Sequence, residues 1–297
     1  VDTVQFDPPL DSSDMSPEYW VRMVDVIAKH YEQYDGFVIL HGTDTMAYTA
    51  SAVTFLLPDM DRSVVLTGSQ LPIGQLRPDG KENLMSSLEL ASTYGADGRP
   101  KIPEVCIYFD GHVIRGNRAT KQSAEEFNAF HSFNYPHLCD VGINFSFHDP
   151  YILQPDYTKP TRFHREMNSD VYVFSLFPGV QENIVRHMMD APELKSIIMR
   201  TYGSGNAPQY PWLTRLLREA YDRGITVVNI SQCVSGQVEM SRYDAGFHLK
   251  DAGVISGYDS TVEAALTKLM FLQARYKDPA DIRRLMQQSL AGEITVE

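Results

Sequence analysis

Thr43, Asp44 and Thr45 follow a short apolar run and are preceded by His41-Gly42, so two hydroxyls and a carboxylate gather at one point of the chain. A threonine hydroxyl attacks a carbonyl carbon only when a base takes its proton. Lys121, after the polar turn Arg115-Gly-Asn-Arg-Ala-Thr120, is a candidate base. A lysine serves that role where desolvation favours the neutral amine, and a neighbouring carboxylate opposes it. On spacing alone a lone lysine is more often a solvated surface group, and a Thr or Asp after a strand is more often a helix cap. Redundancy sets this stretch apart, because a cap needs one side-chain oxygen and three are present beside a histidine.

The same chemistry recurs wherever an apolar run ends: HGTDT, TGSQ, RATK, TYGSGN and SQCVSG. Hydroxyls and amides dominate, with one lysine and one aspartate, which suits a small polar ligand carrying an amide or opposite charges. Cofactor signatures fail. Gly203-Ser-Gly205 is followed by Pro208 where a dinucleotide fingerprint needs glycine, and no P-loop occurs. The nine histidines show no helical H-x-x-x-H or H-E-x-x-H spacing, which argues against a catalytic metal. No cofactor is expected.

These residues need a scaffold that carries them to one edge. Phe37–Leu40 reads as a strand buried on both faces, and one of Thr43, Asp44 or Thr45 is predicted to cap the following helix. Ser16-Pro17 opens an earlier helix whose inner face is Trp20, Met23, Val24, Ile27 and Tyr31. Ser63–Leu66 and Val105–Phe109 are further strands, separated by a loop over Leu71–Gly80 and a helix facing inward through Leu84, Leu88 and Ala91. Prolines at 150, 155 and 160 interrupt the pattern. We therefore expect a first domain over 1–149, a linker over 150–168 and a second domain over 169–297. The second opens with a strand at Val171–Leu176. It continues with strands at Ser196–Met199 and Ile225–Ile230, around a helix marked by Leu213, Leu216, Leu217 and Ala220 and stopped by Gly224. Ser260-x-x-Glu263 is a predicted capping box, and a last helix runs from Asp278-Pro279 to Gly292. Strands alternating with helices of ten to fifteen residues indicate α/β architecture with parallel sheets. In such sheets ligands bind beyond the C-terminal strand ends.

The 297 residues carry 43% hydrophobic and 22% charged side chains, a length that suits two domains or one large one with a sizeable core. A formal charge of −12, from 26 basic and 38 acidic residues, argues against nucleic acid or an anionic membrane as partner. No apolar run approaches a membrane span. Cys106, Cys139 and Cys233 show no C-x-x-C spacing and fit a reducing cytoplasm. The sequence opens on Val1 rather than Met.

DGFVIL followed by HGTDTMAYTA resembles the second signature of the bacterial-type L-asparaginase family. The similarity extends through DSSDM at 11–15, TGSQLP at 67–72, RGNRATK at 115–121, YGSGNAP at 202–208, SQCVSG at 231–236 and the TVEAALTKL helix, with variants nearest the cytoplasmic type I branch. The resemblance implies a larger N-terminal parallel-sheet domain with flanking helices and a smaller C-terminal α/β domain, assembled as a homodimer or a dimer of dimers. It implies hydrolysis of L-asparagine to L-aspartate and ammonia by threonine catalysis, without cofactor. Thr43 would be the second catalytic threonine, with Lys121 and Asp44 completing its triad. Asp44 would also bind the substrate α-ammonium, Ser12 and Ser13 its α-carboxylate, and the Ser69 backbone its side-chain amide. Asn206 would be supplied across a dimer interface. Thr120, Arg200 and Cys233 match an effector pocket of type I relatives.

The family's first signature, a Thr-Gly-Gly-Thr-Ile strand end bearing the primary nucleophile and followed by a flap, has no counterpart in this sequence. We expect that segment, and the central strand it supplies, upstream of Val1. Two other readings stay open here: a non-catalytic amino-acid sensor on the same scaffold, and an asparaginase-like amidotransferase subunit, whose RNA-binding surface the acidic balance disfavours.

Overall fold

This computed structural model describes residues 1–72, 74–240 and 244–296; Ile73 of the expected loop and Glu297 of the expected second domain lie outside them. The chain divides into two compact units, Val1–Arg165 and Glu166–Glu297.

The first unit begins with α1 (Pro17–His30), entered through Ser16 with proline at its first position. Trp20, Met23, Val24 and Ile27 form its buried face, as the spacing predicts. Then follow β1 (Gly36–Leu40), α2 (Met46–Leu56), β2 (Ser63–Thr67), α3 (Gly80–Ala91) and β3 (Val105–Phe109). A hairpin leads into β4 (His112–Arg115). After it come two short strands, β5 (Thr120–Lys121) and β6 (Phe130–His131), and then β7 (Cys139–Val141) and β8 (Phe145–Phe147). The main sheet has the order β1-β2-β3-β4-β7-β8. It is parallel over β1–β3 and antiparallel beyond, so it is mixed where an all-parallel sheet is expected. The reason is the turn Asp110-Gly111, whose φ angles of 47° and 80° are the left-handed pair that a two-residue hairpin requires. A connection that short cannot return the chain in parallel.

Two expectations about faces need correcting. β1 ends the strand order, and its residues are half-buried, with Leu40 at 64% exposure. The wholly buried strands are β2 and β3. In α3 the buried positions are Asn83, Ser86, Ser87, Leu90 and Ala91, while Leu84 and Leu88 are only half-buried. The helix turns a mostly small and polar face to the sheet, which frees Asn83 to bond the strand-end loop. Beneath lie Val65, Ile102, Cys106, Tyr108, Val113, Leu138 and Ile152, packed as one apolar cluster.

The second unit alternates as the pattern predicts: β9 (Val171–Ser175), α4 (Glu182–Met189), β10 (Ser196–Thr201), α5 (Pro211–Asp222) and β11 (Thr226–Ser231). α6 (Asp244–Asp251), β12 (Ile255–Ser256), α7 (Val262–Arg275) and α8 (Pro279–Met286) complete it. Its sheet, β12-β11-β10-β9, is parallel throughout. Leu213, Leu216, Leu217 and Ala220 of α5 pack on Ile197, Met199 and Val227. α7 is capped by Thr261, whose hydroxyl accepts from the Ala264 amide, and not by Ser260. The predicted box is displaced by one residue, because Thr261 sits in extended backbone directly before the helix. α8 stops at Met286, short of Gly292. From the middle of α7 the Lys268 ammonium reaches Glu293 at 2.5 Å, both side chains being almost wholly buried.

One buried pair fixes where Lys121 can go. Arg115 ends β4 and donates through Nε to Glu104 at 2.6 Å, with side-chain exposures of 1% and 8%. The Glu104 carboxylate also takes the Leu153 amide at 2.9 Å. This clamps the start of the segment that turns through Gly116–Arg118 into β5. Removing one member strands a buried charge, which costs several kcal/mol. Glu104→Ala is expected to lower unfolding free energy by about 3–5 kcal/mol in urea titration, and a loss under about 1 kcal/mol would refute the clamp.

Candidate active site

Thr43 and Asp44 occupy the turn between β1 and α2 at the C-terminal edge of the parallel strands. Lys121, the last residue of β5, is placed by antiparallel pairing with Phe130, whose buried ring packs against Phe109 of β3 at 5.1 Å. The Lys121 Nζ donates to Thr43 Oγ1 at 2.8 Å and to Asp44 Oδ1 at 2.7 Å. Lys121 is 18% exposed and Asp44 68% exposed, so the ammonium is sheltered while the carboxylate opens to solvent. An ammonium that donates to both oxygens leaves the Thr43 hydroxyl hydrogen free for a further acceptor. The three residues that spacing alone left unconnected form one hydrogen-bonded triad.

The turn is held from behind. His41 is buried; its Nδ1 donates to the Gly42 carbonyl at 2.6 Å and its Nε2 accepts from the Thr49 hydroxyl at 2.8 Å. Trp20 Nε1 donates to the same hydroxyl oxygen at 2.9 Å. Only a neutral imidazole completes this chain, and burial does hold His41 below its ordinary pKa against the opposing bond to Gly42. His41 is therefore a brace for the turn. Thr45 occupies the cap position of α2, but its hydroxyl makes no cap bond; it donates to the Ser12 carbonyl at 2.7 Å. Gly42 allows this approach, since a Cβ there would lie 2.5 Å from Ser12 Oγ. Ser12, buried, thus sits against the triad's turn. Ser13 is exposed, with its amide and hydroxyl both donating to Asp11 at 2.8 Å.

Ser69 lies beyond β2, where its hydroxyl donates to Asp79 Oδ1 at 2.7 Å. Asp79 also takes the amides of Gln70 and Leu71, and Asn83 Nδ2 holds the Gly68 carbonyl at 3.0 Å. Burial raises the Asp79 pKa, but the Gln70, Ser69 and Leu71 donors outweigh it and hold the carboxyl below its usual range. Sequence reasoning missed Asp79, Asn83 and the bracing role of His41. Asp79 precedes a helix and so looks like a plain cap, yet its carboxylate makes no cap bond and turns back to the loop. Thr120 adjoins Lys121 on β5.

The other candidates belong to the second unit. Asn206 closes a tight turn after β10, exchanging backbone bonds with Tyr202 at 2.8 and 2.9 Å. β11 supports that turn through Asn229 Nδ2 on the Gly205 carbonyl and Ser231 Oγ on the Gly203 carbonyl. Arg200 lies within β10, and Cys233 follows β11, exposed. Thr201 and Ser231 are register partners, so these two lie at one sheet edge.

Residues 2–152 match the family model described as Asparaginase, N-terminal, and residues 170–286 match the Glutaminase/Asparaginase C-terminal domain. The chain is 44% identical over 292 residues to L-asparaginase 1 of Escherichia coli K12, covering 98% of this chain and 84% of that protein. It is 42% identical over 289 residues to the human 60 kDa lysophospholipase, covering 97% of this chain and 49% of that one. Among solved structures it resembles L-asparaginase I from Vibrio cholerae with a TM-score of 0.90 and 42% identity, over 98% of this chain and 85% of that one.

The His41 brace has a pH signature. The folded state keeps the ring neutral, so the unfolded chain takes up its proton first as pH falls. The brace therefore contributes fully above about pH 6.5, the ordinary histidine pKa, and its contribution is lost as pH drops through the lower folded value. His41→Gln is expected to melt lower than the parent at pH 8 and to show a shallower fall in Tm on acidification. Parallel Tm–pH curves for the two proteins would exclude the brace.

Proposed function

The chain belongs to the asparaginase family, and from that premise we propose that it is an amidohydrolase converting L-asparagine to L-aspartate and ammonia by threonine catalysis. The observation that carries this reading is the Lys121 ammonium between the Thr43 hydroxyl and the Asp44 carboxylate. The family resemblance assigns the primary nucleophile to a threonine of the first signature, which this sequence does not contain, and assigns Thr43 to the second position. In our reading Thr43 passes its proton to the departing amide nitrogen while Lys121 resupplies the hydroxyl. Asp44 keeps the lysine in place, and its open face offers a counter-charge to the substrate α-ammonium. Ser12 and Ser13 are proposed to hold the α-carboxylate, and the Ser69 backbone, fixed through Asp79, to face the amide. None of these steps needs a cofactor.

We further propose a cytoplasmic homodimer or dimer of dimers, in which Asn206 is supplied to the triad of a second copy. The free cysteines Cys106, Cys139 and Cys233 suit a reducing compartment. No helix among the described residues is long and apolar enough to cross a membrane.

Ammonia release from asparagine and glutamine, assayed side by side, tests the activity and separates it from a sensor, which would bind without release. Thr43→Val and Lys121→Met are each expected to lower kcat at least about 100-fold with Tm little changed. The double variant should be scarcely worse than either single one, since relay members act as a unit. Near-normal kcat in either single variant would refute the relay.

A second reading takes Arg200 and Cys233, at one sheet edge of the second unit, as part of an effector site for asparagine. Arg200 Nε is buried without a hydrogen-bond partner among the described residues, and a guanidinium suits an α-carboxylate through paired N–H donors. The expected outcome is cooperative kinetics in asparagine that become hyperbolic in Arg200→Ala. Hyperbolic kinetics in the parent would overturn the pocket.

A further inference from the structure

A second cluster of titratable side chains lies in the first unit on other strands than the triad. His112 opens β4 and is the register partner of Asp140 on β7. His137 lies just before β7, and His148 follows β8. Asp140 Oδ1 is 2.9 Å from His112 Nδ1 and 3.0 Å from His137 Nδ1, and its Oδ2 is 3.4 Å from His148 Nε2. The first two imidazoles lie with centroids 4.4 Å apart, tilted by 39°. One ligand atom from each of His112, His137 and Asp140 falls within 4.8 Å of the others, and all three residues are half-buried.

Hydrogen bonds from His112 and His137 account for one carboxylate oxygen, and the His148 contact at the other is left to explain. One carboxylate offers a single negative charge, and three imidazoles converge on it. His148 Nδ1 is 2.9 Å from the His137 carbonyl, which can only accept, so that nitrogen carries the hydrogen. In the neutral ring Nε2 then turns a bare lone pair toward the Asp140 carboxylate. A lone pair facing an anion is repulsive unless a proton or a metal cation joins them. A histidine that donates one nitrogen to a carbonyl and bares the other is the usual arrangement of a metal-ligating ring.

We propose that His112, His137 and Asp140 bind a divalent transition-metal cation of the zinc class, with His148 beside the second carboxylate oxygen. Two imidazoles with one carboxylate suit zinc, cobalt or nickel, and not the hard cations magnesium and calcium, which prefer all-oxygen sets. Zinc takes imidazole nitrogen and carboxylate oxygen at about 2.0–2.2 Å, which in a tetrahedron separates neighbouring ligand atoms by about 3.4 Å. The observed 2.9 and 3.0 Å separations need to open by only a few tenths of an ångström. His112 and His137 would bind through Nδ1 and carry their hydrogens on Nε2, a change of tautomer with no net gain or loss of protons. The ion would pin β4 to β7 and to the segment that enters β7. This role is separate from the Thr43 triad and independent of the amidohydrolase reading.

The test uses the full chain without an affinity tag, stripped with EDTA and titrated with ZnCl2 by calorimetry, with CoCl2 as a spectroscopic probe. We expect one zinc per chain, strong visible d–d bands with cobalt, and a zinc-dependent rise in Tm. Asp140→Asn keeps the side-chain shape and is expected to weaken zinc binding at least about tenfold, as is His137→Gln, and both should abolish the Tm rise. His187→Gln, an exposed histidine of α4, should bind like the parent. Absence of zinc binding to the parent, or equal affinity in parent, Asp140→Asn and His137→Gln, would overturn the site. If a variant fails to fold, the cobalt spectrum of the parent decides: the weak bands of six-coordinate aqueous ion refute the proposal.

Discussion

A lysine ammonium shared at 2.7 and 2.8 Å between a carboxylate and a hydroxyl is the constraint to which the first unit is built. Such a group cannot be held by its own flexible stem, so its backbone must be fixed on one side and its acceptors on the other. The Arg115–Glu104 pair and the pairing of β5 with β6 fix the backbone. The neutral network from Trp20 through Thr49 and His41 to Gly42 fixes the acceptors. Both supports lie within the first unit, and the β5–β6 pair forms a small sheet of its own. The triad itself keeps an exposed carboxylate, which is what a site for a charged small molecule needs.

The strands that carry functional loops were legible because they are short, β-branched and followed abruptly by Gly, Ser and Thr. β2, β3, β10 and β11 read directly from that pattern, as did the buried faces of α1 and α5. Legibility failed where tertiary context overrides local pattern. β1 is as apolar as β2, yet among the described strands it ends the order and its residues are half-buried. α3 buries serines and Asn83 because the sheet and the β2 loop need small groups and a hydrogen-bond donor there, and no periodicity announces that. The Asp110-Gly111 pair, a hairpin signal at the end of β3, was not used, and with it the change from parallel to antiparallel was missed.

The site was legible as composition before it was legible as geometry. Thr43 and Asp44 stood out by redundancy, whereas Lys121 was one lysine among many until β5 carried it to them. Asp79 remained hidden because its partners are backbone amides eight and nine residues earlier, and backbone amides have no sequence signature. The histidines around Asp140 were hidden for a related reason. Searches for metal ligands look along one helix, and here the side chains come from antiparallel strands and the turns between them.

The Thr43–Lys121 bond closes a loop of 78 residues, and this separation bears on how the protein acquires its chemistry over time. Closing a flexible loop of that length costs on the order of 4 kcal/mol in chain entropy, more than one half-buried hydrogen bond returns. The triad therefore cannot form early and nucleate anything. It is assembled by the strands that precede it, after β1, β2, β3 and β4 have met and β5 has paired. During synthesis the chain holds Thr43 and Asp44 long before it holds Lys121, and during unfolding the relay is broken as soon as the β4–β5 segment is released. Chemical competence is thus a late and sensitive report on the integrity of the whole first unit, even though only three side chains make it up.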